Sequence, residues 1–169
     1  VRFVNVSTVG ARSADLESQV TRALILKPHI AVILIGGNDV THLTRPQTAV
    51  RDLGQAVARL VDSGSEVVVG TCPDLGSVKP IREPLRTVAR RLSRQLAAAQ
   101  TIAVVEAGGR SVSLGSLLGP EFSEFPEEMF AHDQFHPSSR GYAMAAQAIL
   151  PSVLDSLGLL PPDERVPDE

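Results

Sequence analysis

The chain has 169 residues, of which 43% are hydrophobic and 21% are charged, so it is long and apolar enough for one globular domain with a substantial core. A net charge of −3 gives no global attraction to nucleic acid or to an anionic membrane surface, and no apolar run approaches the roughly 20 residues of a membrane span. Cys72 is the only cysteine, which excludes intramolecular disulfides and cysteine-rich zinc sites.

The first part of the chain predicts two strands separated by a helix. Residues 2–6 read as a short strand, and Ser13 is expected to cap a helix that Pro28 ends. The run Ile-Ala-Val-Ile-Leu-Ile over residues 30–35 is unbroken and rich in β-branched side chains. Such a run is typical of a strand buried on both faces in a parallel sheet.

The remainder of the chain continues this alternation. Helices are predicted from Pro46 to about Gly64, over 84–99, and after Ser138 or Ser139, with strands at 66–70 and 102–105 and a long irregular stretch over 107–135. The alternation predicts a three-layer α/β/α fold with a parallel, flavodoxin-like sheet. We expect one domain over residues 1–160, followed by a loose acidic tail over 161–169.

Polar residues stand where ligands bind in such a fold, at the carboxyl ends of the strands. Gly36 and Gly37 end the 30–35 run, and Asn38 can offer a side-chain amide there, although the same residues also suit an ordinary turn. Further along, Asp133 and His136 are three residues apart before the last helix. A carboxylate that accepts a bond from one imidazole nitrogen fixes the tautomer and leaves the other nitrogen available as a base, although a capping loop could contain the same pair.

These segments together resemble the SGNH hydrolases, the Gly-Asp-Ser-Leu family of esterases and lipases. The resemblance rests on residues 9–16, 35–39 and 129–138 and extends to about Leu154. It implies ester hydrolysis in which His136 is the base and Asp133 orients it, while the Gly10 N–H and the Asn38 amide form the oxyanion hole. It implies no metal or organic cofactor, and a small acyl ester as the substrate, with a thioester or an O-acetylated sugar as variants.

The block of this family that carries the nucleophilic serine does not occur in the sequence. We expect that block, and the first strand that carries it, upstream of Val1, so the 169 residues alone should be inactive and should not form a stable monomer. Ser7 follows a predicted strand but fits a routine turn better. The serines at 111, 113 and 116 lie in a loop with no nucleophile-elbow pattern.

Two other functions remain open from the sequence. One is a metal-dependent hydrolase that uses His132, Asp133 and His136, with Asp39 or His42. The other is a non-catalytic binding module of SGNH type. The compartment is also open, between the cytoplasm, which we favour, and secretion.

Overall fold

The computed structural model describes residues 2–160, which form a parallel sheet covered by helices. The strands are β1 (Ile30–Leu34), β2 (Glu66–Gly70) and β3 (Arg110–Val112). The helices are α1 (Leu16–Ile25), α2 (Gly37–Thr41), α3 (Pro46–Asp62), α4 (Leu85–Glu106), α5 (Leu114–Glu124), α6 (Pro126–Met129) and α7 (Ser139–Ser156), with 3-10 turns at Ser13–Asp15 and Leu75–Ser77. The predicted tail at 161–169 lies outside the described residues. Within residues 2–160 no helix has the length and apolarity needed to cross a membrane.

The sheet is parallel throughout, with the strand order β1-β2-β3. Ile30 pairs with Glu66 and Leu34 with Gly70, while Val68 pairs with Arg110. Each connection between neighbouring strands contains a helix, as parallel pairing requires. All three strands therefore end at the same edge of the sheet, which is the edge where the polar segments follow.

Helices cover both faces of the sheet, which confirms the predicted three-layer arrangement. On one face, Ile33, Val67 and Val69 pack against α1, α3 and α4. On the other face, Val68 and Val112 pack against α5 and α7. Burial of these apolar side chains is the main term that stabilises the fold.

Strand β1 is not buried on both faces, so that prediction is wrong. β1 lies at the edge of the sheet, and the side chains of Val32 and Leu34 are 49% and 50% exposed. Both project from the face on which α7 contacts β2 and β3. Among residues 2–160 no strand pairs with the outer edge of β1, so one edge and part of one face of this strand are open.

Two further strand predictions are wrong. Residues 2–6 form no strand, because among the described residues no strand edge pairs with them. The 102–105 segment belongs to α4, in which Val104 is buried while Ile102 and Val105 are exposed. That pattern follows the helical period, and the third strand is β3 instead.

The stretch over 107–135 is more regular than predicted, since it contains β3, α5 and α6. Three of its large apolar side chains, Phe122, Met129 and Phe130, are buried with α2 and α4 residues in one cluster. Phe122 and Phe130 meet edge to face, with ring centroids 5.0 Å apart. These three side chains are therefore core residues that anchor the segment preceding α7.

Candidate active site

The first component of the candidate site is the pair formed by Asp133 and His136. His136 Nδ1 lies 2.6 Å from Asp133 Oδ2, and Asp133 Oδ1 accepts hydrogen bonds of 3.0 Å from the backbone N–H groups of Phe135 and His136. The bond from His136 and then these two backbone bonds lower the pKa of Asp133 from 3.8 to about 2. At neutral pH Asp133 is therefore ionised and can only accept hydrogen bonds, so Nδ1 carries the proton and Nε2 of a neutral ring does not.

The turn that carries this pair is fixed by its own backbone. Gln134 has a φ of +55°, and the Ala131 N–H donates to the His136 carbonyl at 2.8 Å. Phe130 and Pro137 form a β-bridge across the base of the turn. The side chains of His136 and Asp133 are nonetheless 63% and 51% exposed, so the pair is open to a ligand from solvent.

The second component is α2, which carries Asn38 and begins after the two residues that follow β1. The Asn38 Nδ2 group donates a hydrogen bond of 3.1 Å to the Ala11 carbonyl. A side-chain amide has two N–H donors, so this bond uses one and leaves the other for a ligand. Gly10 lies one residue before Ala11 with a φ of +75°, and within residues 2–160 its N–H has no acceptor. The structure therefore joins the Gly10 turn to Asn38, and these are the two residues that the resemblance assigns to the oxyanion hole.

Asp39 provides a second connection between the same two segments. Its carboxylate is buried and accepts bonds from the Ser13 backbone N–H, at 3.0 and 3.2 Å, and from the Ser13 hydroxyl, at 2.9 Å. The prediction that Ser13 caps α1 is therefore wrong. The Ser13 side chain bonds to Asp39, and the N-cap position of α1 falls on Asp15. The sequence shows no local sign of this contact, since the two residues are 26 positions apart.

The structure does not bring all the predicted site residues into contact. No hydrogen bond joins His136 to Asn38 or to Gly10. The two components of the site are connected by packing, since Val40 of α2 and Phe130 near the Asp133 turn belong to the same buried apolar cluster. No serine among residues 2–160 is hydrogen-bonded to His136. Ser7 lies in the exposed N-terminal segment. The Ser113 hydroxyl bonds to that of Ser116.

The residues named for a metal site do not form one cluster, because Asp133 contacts His136 while Asp39 and His42 have other partners. His42 Nδ1 is 2.9 Å from the Asn38 carbonyl, and Asp39 is bonded to Ser13. Among residues 2–160 no three or more His, Cys, Asp or Glu side chains are gathered in a way that could hold a metal ion.

A surface cavity of about 230 Å³ adjoins the turn of Asp133. Its lining residues include Ala131, His132 and Gln134, but neither Asp133 nor His136.

This parallel three-layer architecture is that of the SGNH hydrolases, and comparison with known proteins agrees. The chain belongs to the GDSL-like lipase/acylhydrolase family, which matches residues 1–144. It is 43% identical over 159 residues to the GDSL-like esterase Rv1075c of Mycobacterium tuberculosis. That match covers 93% of this chain and 51% of the relative, so the chain spans about half the length of that protein.

Solved structures show the same fold at low sequence identity. LAE5, an α/β hydrolase enzyme from the metagenome of Lake Arreo in Spain, superposes with a TM-score of 0.67 at 21% identity over 90% of this chain and 70% of that chain. Axe2, an acetylxylan esterase from Geobacillus stearothermophilus, gives a TM-score of 0.64 at 20% identity over 88% and 68%. The fold is thus shared well beyond the range of close sequence similarity.

Proposed function

We propose that this protein hydrolyses small carboxylic esters through a serine nucleophile, with thioesters and O-acetylated sugars as variants that the same site can take. The observation that supports it most directly is the 2.6 Å contact between His136 Nδ1 and an ionised Asp133, in a chain of the GDSL-like family. In this proposal Nε2 of His136 takes the proton of the serine hydroxyl and returns it to the leaving alcohol. Asp133 holds the tautomer and stabilises the imidazolium.

The negative charge that develops on the acyl oxygen needs donors that are already in place. We assign this role to the Gly10 N–H and to the second N–H of the Asn38 amide. The bonds from Asn38 to Ala11 and from Ser13 to Asp39 support the assignment, because they hold the two donor segments together before a substrate arrives.

The nucleophile in this proposal is a serine outside residues 2–160. The open outer edge of β1 supports this, because a further parallel strand that paired there would end at the same sheet edge as Asn38. The exposed side chains of Val32 and Leu34 would be covered by the same addition. The protein for activity measurements is therefore expressed from the natural start of its gene.

The test is p-nitrophenyl ester hydrolysis by the His136→Ala variant. We expect turnover to fall by roughly a thousandfold or more, since the base is lost. His29→Ala is the matched control, because His29 is exposed at the opposite end of the sheet, and it should retain wild-type turnover. A His136→Ala variant that keeps a third of wild-type turnover would remove His136 from the mechanism. A wild-type protein that hydrolyses none of a panel of esters, thioesters and acetylated sugars would instead favour a binding module.

A further inference from the structure

A polar side chain that the proposed mechanism does not use is fully buried behind α2. Gln100 lies on α4 and is 0% exposed. Its Oε1 accepts a hydrogen bond of 2.7 Å from the Cys72 N–H, and its Nε2 donates a longer one of 3.4 Å to the Ile35 carbonyl. The partners fix the orientation of the amide, because a backbone N–H needs an oxygen and a carbonyl needs an N–H.

The two partners of Gln100 lie just beyond the ends of adjacent strands. The pairing of β1 with β2 ends at Leu34 and Gly70. Ile35 comes directly after Leu34, and Cys72 comes two residues after Gly70. At this point the two backbone segments separate, because Ile35 leads into α2 and Cys72 leads into a loop. The Gln100 amide therefore bridges the two backbone segments at the point where the hydrogen bonds between β1 and β2 stop.

Gly36 packs closely against the bridge that Gln100 forms. It has a φ of +122°, which favours glycine, and it lies between Ile35 and the first residue of α2. A Cβ atom at this position would lie 2.7 Å from Cys72 Cβ and 3.0 Å from Gln100 Nε2. The turn into α2 is thus packed directly against Gln100 and its partner, and Asn38 follows two residues later.

We propose that Gln100 is a positioning residue for Asn38: its bridge between Cys72 and Ile35 sets the direction in which the chain leaves β1, and hence where the Asn38 amide lies. The inference rests on the proposed function for its effect on catalysis, but the positional effect exists without any substrate. Ser13 and Asp39 hold α2 from the side of the Gly10 turn, and Gln100 holds it from the side of α4. Because a misplacement of about 1 Å can cost a hundredfold in rate, this second attachment has a measurable consequence.

The positional effect is tested by NMR on the ligand-free protein. Gln100→Met has a similar length and makes neither bond, so the Cys72 N–H should lose hydrogen-exchange protection and the Asn38 side-chain amide resonances should shift. Gln95→Met on the exposed side of α4 is the matched control and should change neither. Unchanged Asn38 amide resonances, together with lost protection at Cys72, would overturn the proposal.

A conservative variant separates the two bonds and remains informative if the methionine variant does not fold. Gln100→Glu keeps an acceptor for the Cys72 N–H, and its ionised form has no donor for the Ile35 carbonyl, so the spectra are recorded above the pKa of that buried carboxyl. We expect protection at Cys72 to persist while the Asn38 amide resonances still shift. Asn38 amide resonances identical to those of the wild type in Gln100→Glu would show that the Ile35 contact has no positioning role.

The catalytic effect is tested by a double-mutant cycle with Asn38→Ala. If Gln100 acts through Asn38, Gln100→Met lowers kcat by about ten- to a hundredfold in the wild type with little change in KM, and by less than about threefold when Asn38 is already alanine. Equal losses in both backgrounds would show a general structural effect and contradict the inference. If the wild-type protein hydrolyses no ester, the proposed function fails, while the NMR comparison still decides whether Gln100 positions Asn38.

Discussion

The contact between Ser13 and Asp39 leads to a prediction about stability. Ser13→Ala removes the hydroxyl that donates to Asp39 at 2.9 Å, while the bonds from the Ser13 backbone N–H remain. Both residues are buried, so water does not replace the lost donor. A hydrogen bond to a charged group contributes about 1.5–3 kcal/mol, and we expect the free energy of unfolding to fall by that amount. For a domain of this size the midpoint of thermal unfolding should fall by about 3–12 °C.

The measurement is urea unfolding of the form of the protein that unfolds cooperatively, with the midpoint and the slope m fitted separately. An unchanged m with a lower midpoint shows that stability has changed and the compactness of the two states has not. Ser18→Ala is the control, because the exposed Ser18 hydroxyl bonds only to the Asp15 carbonyl, and it should lie within about 0.5 kcal/mol of the wild type. A Ser13→Ala variant within the same limit would refute the claim that this contact holds the Gly10 turn to α2.

Three further predictions follow from the site. The Asp133 carboxyl, followed by ¹³C NMR, should titrate at a pKa of about 2. Because this pKa lies below the ordinary 3.8, the contribution of Asp133 to stability is present above about pH 4 and is lost as the pH falls towards 2. A titration midpoint at 3.8 would contradict the hydrogen bonding described. Gly36→Ala should lower the free energy of unfolding by about 1–3 kcal/mol. The loss should exceed that of Gly64→Ala, because Gly64 shares a positive φ but has open space around it. Equal losses of stability in the two variants would mean that backbone strain alone matters. Hydrolysis should survive prolonged EDTA treatment, whereas a loss that zinc or manganese restores would promote the metal-dependent alternative.

The parts of the molecule that the sequence predicted correctly are determined by nearby residues. The strands at 30–34 and 66–70 are short apolar runs bounded by turn residues, and the contact of Asp133 with His136 spans only three positions. The family resemblance assigns Gly10 and Asn38 to one oxyanion hole, and that role stays a prediction. Nothing local to Asn38 indicates its partner Ala11, 27 residues away.

The errors have identifiable physical causes. Ile102–Val105 is a short apolar run that a strand and a helix could both contain, and the spacing of Leu96, Gln100 and Val104 along one buried face was the signal for a helix. Residues 2–6 have a strand-like composition, but a strand needs a partner edge, and composition carries no information about that. Composition likewise does not show whether a strand lies at the centre or at the edge of a sheet. The apolar run of β1 therefore predicts burial on both faces, although β1 lies at the edge.

The residues that the sequence did not reveal act through long-range contacts. Gln100 lies 28 residues from Cys72 and 65 from Ile35. A glutamine within an amphipathic helix is usually read as a surface residue, and only the tertiary structure shows that it is buried between two strand ends. Ser13 has the same character, since its sequence context favours a cap and its side chain bonds to α2 instead.

The proposed mechanism requires a serine that reaches His136 from outside residues 2–160. Fluorophosphonate labelling followed by peptide mass spectrometry tests this requirement most directly. The probe should label the protein expressed from the natural start of its gene at one serine that lies outside that range, and the His136→Ala variant should label far more slowly. The 169-residue chain by itself should not react. Labelling of Ser7 in the 169-residue chain, together with cooperative unfolding of that chain as a monomer, would contradict the account and make Ser7 the nucleophile.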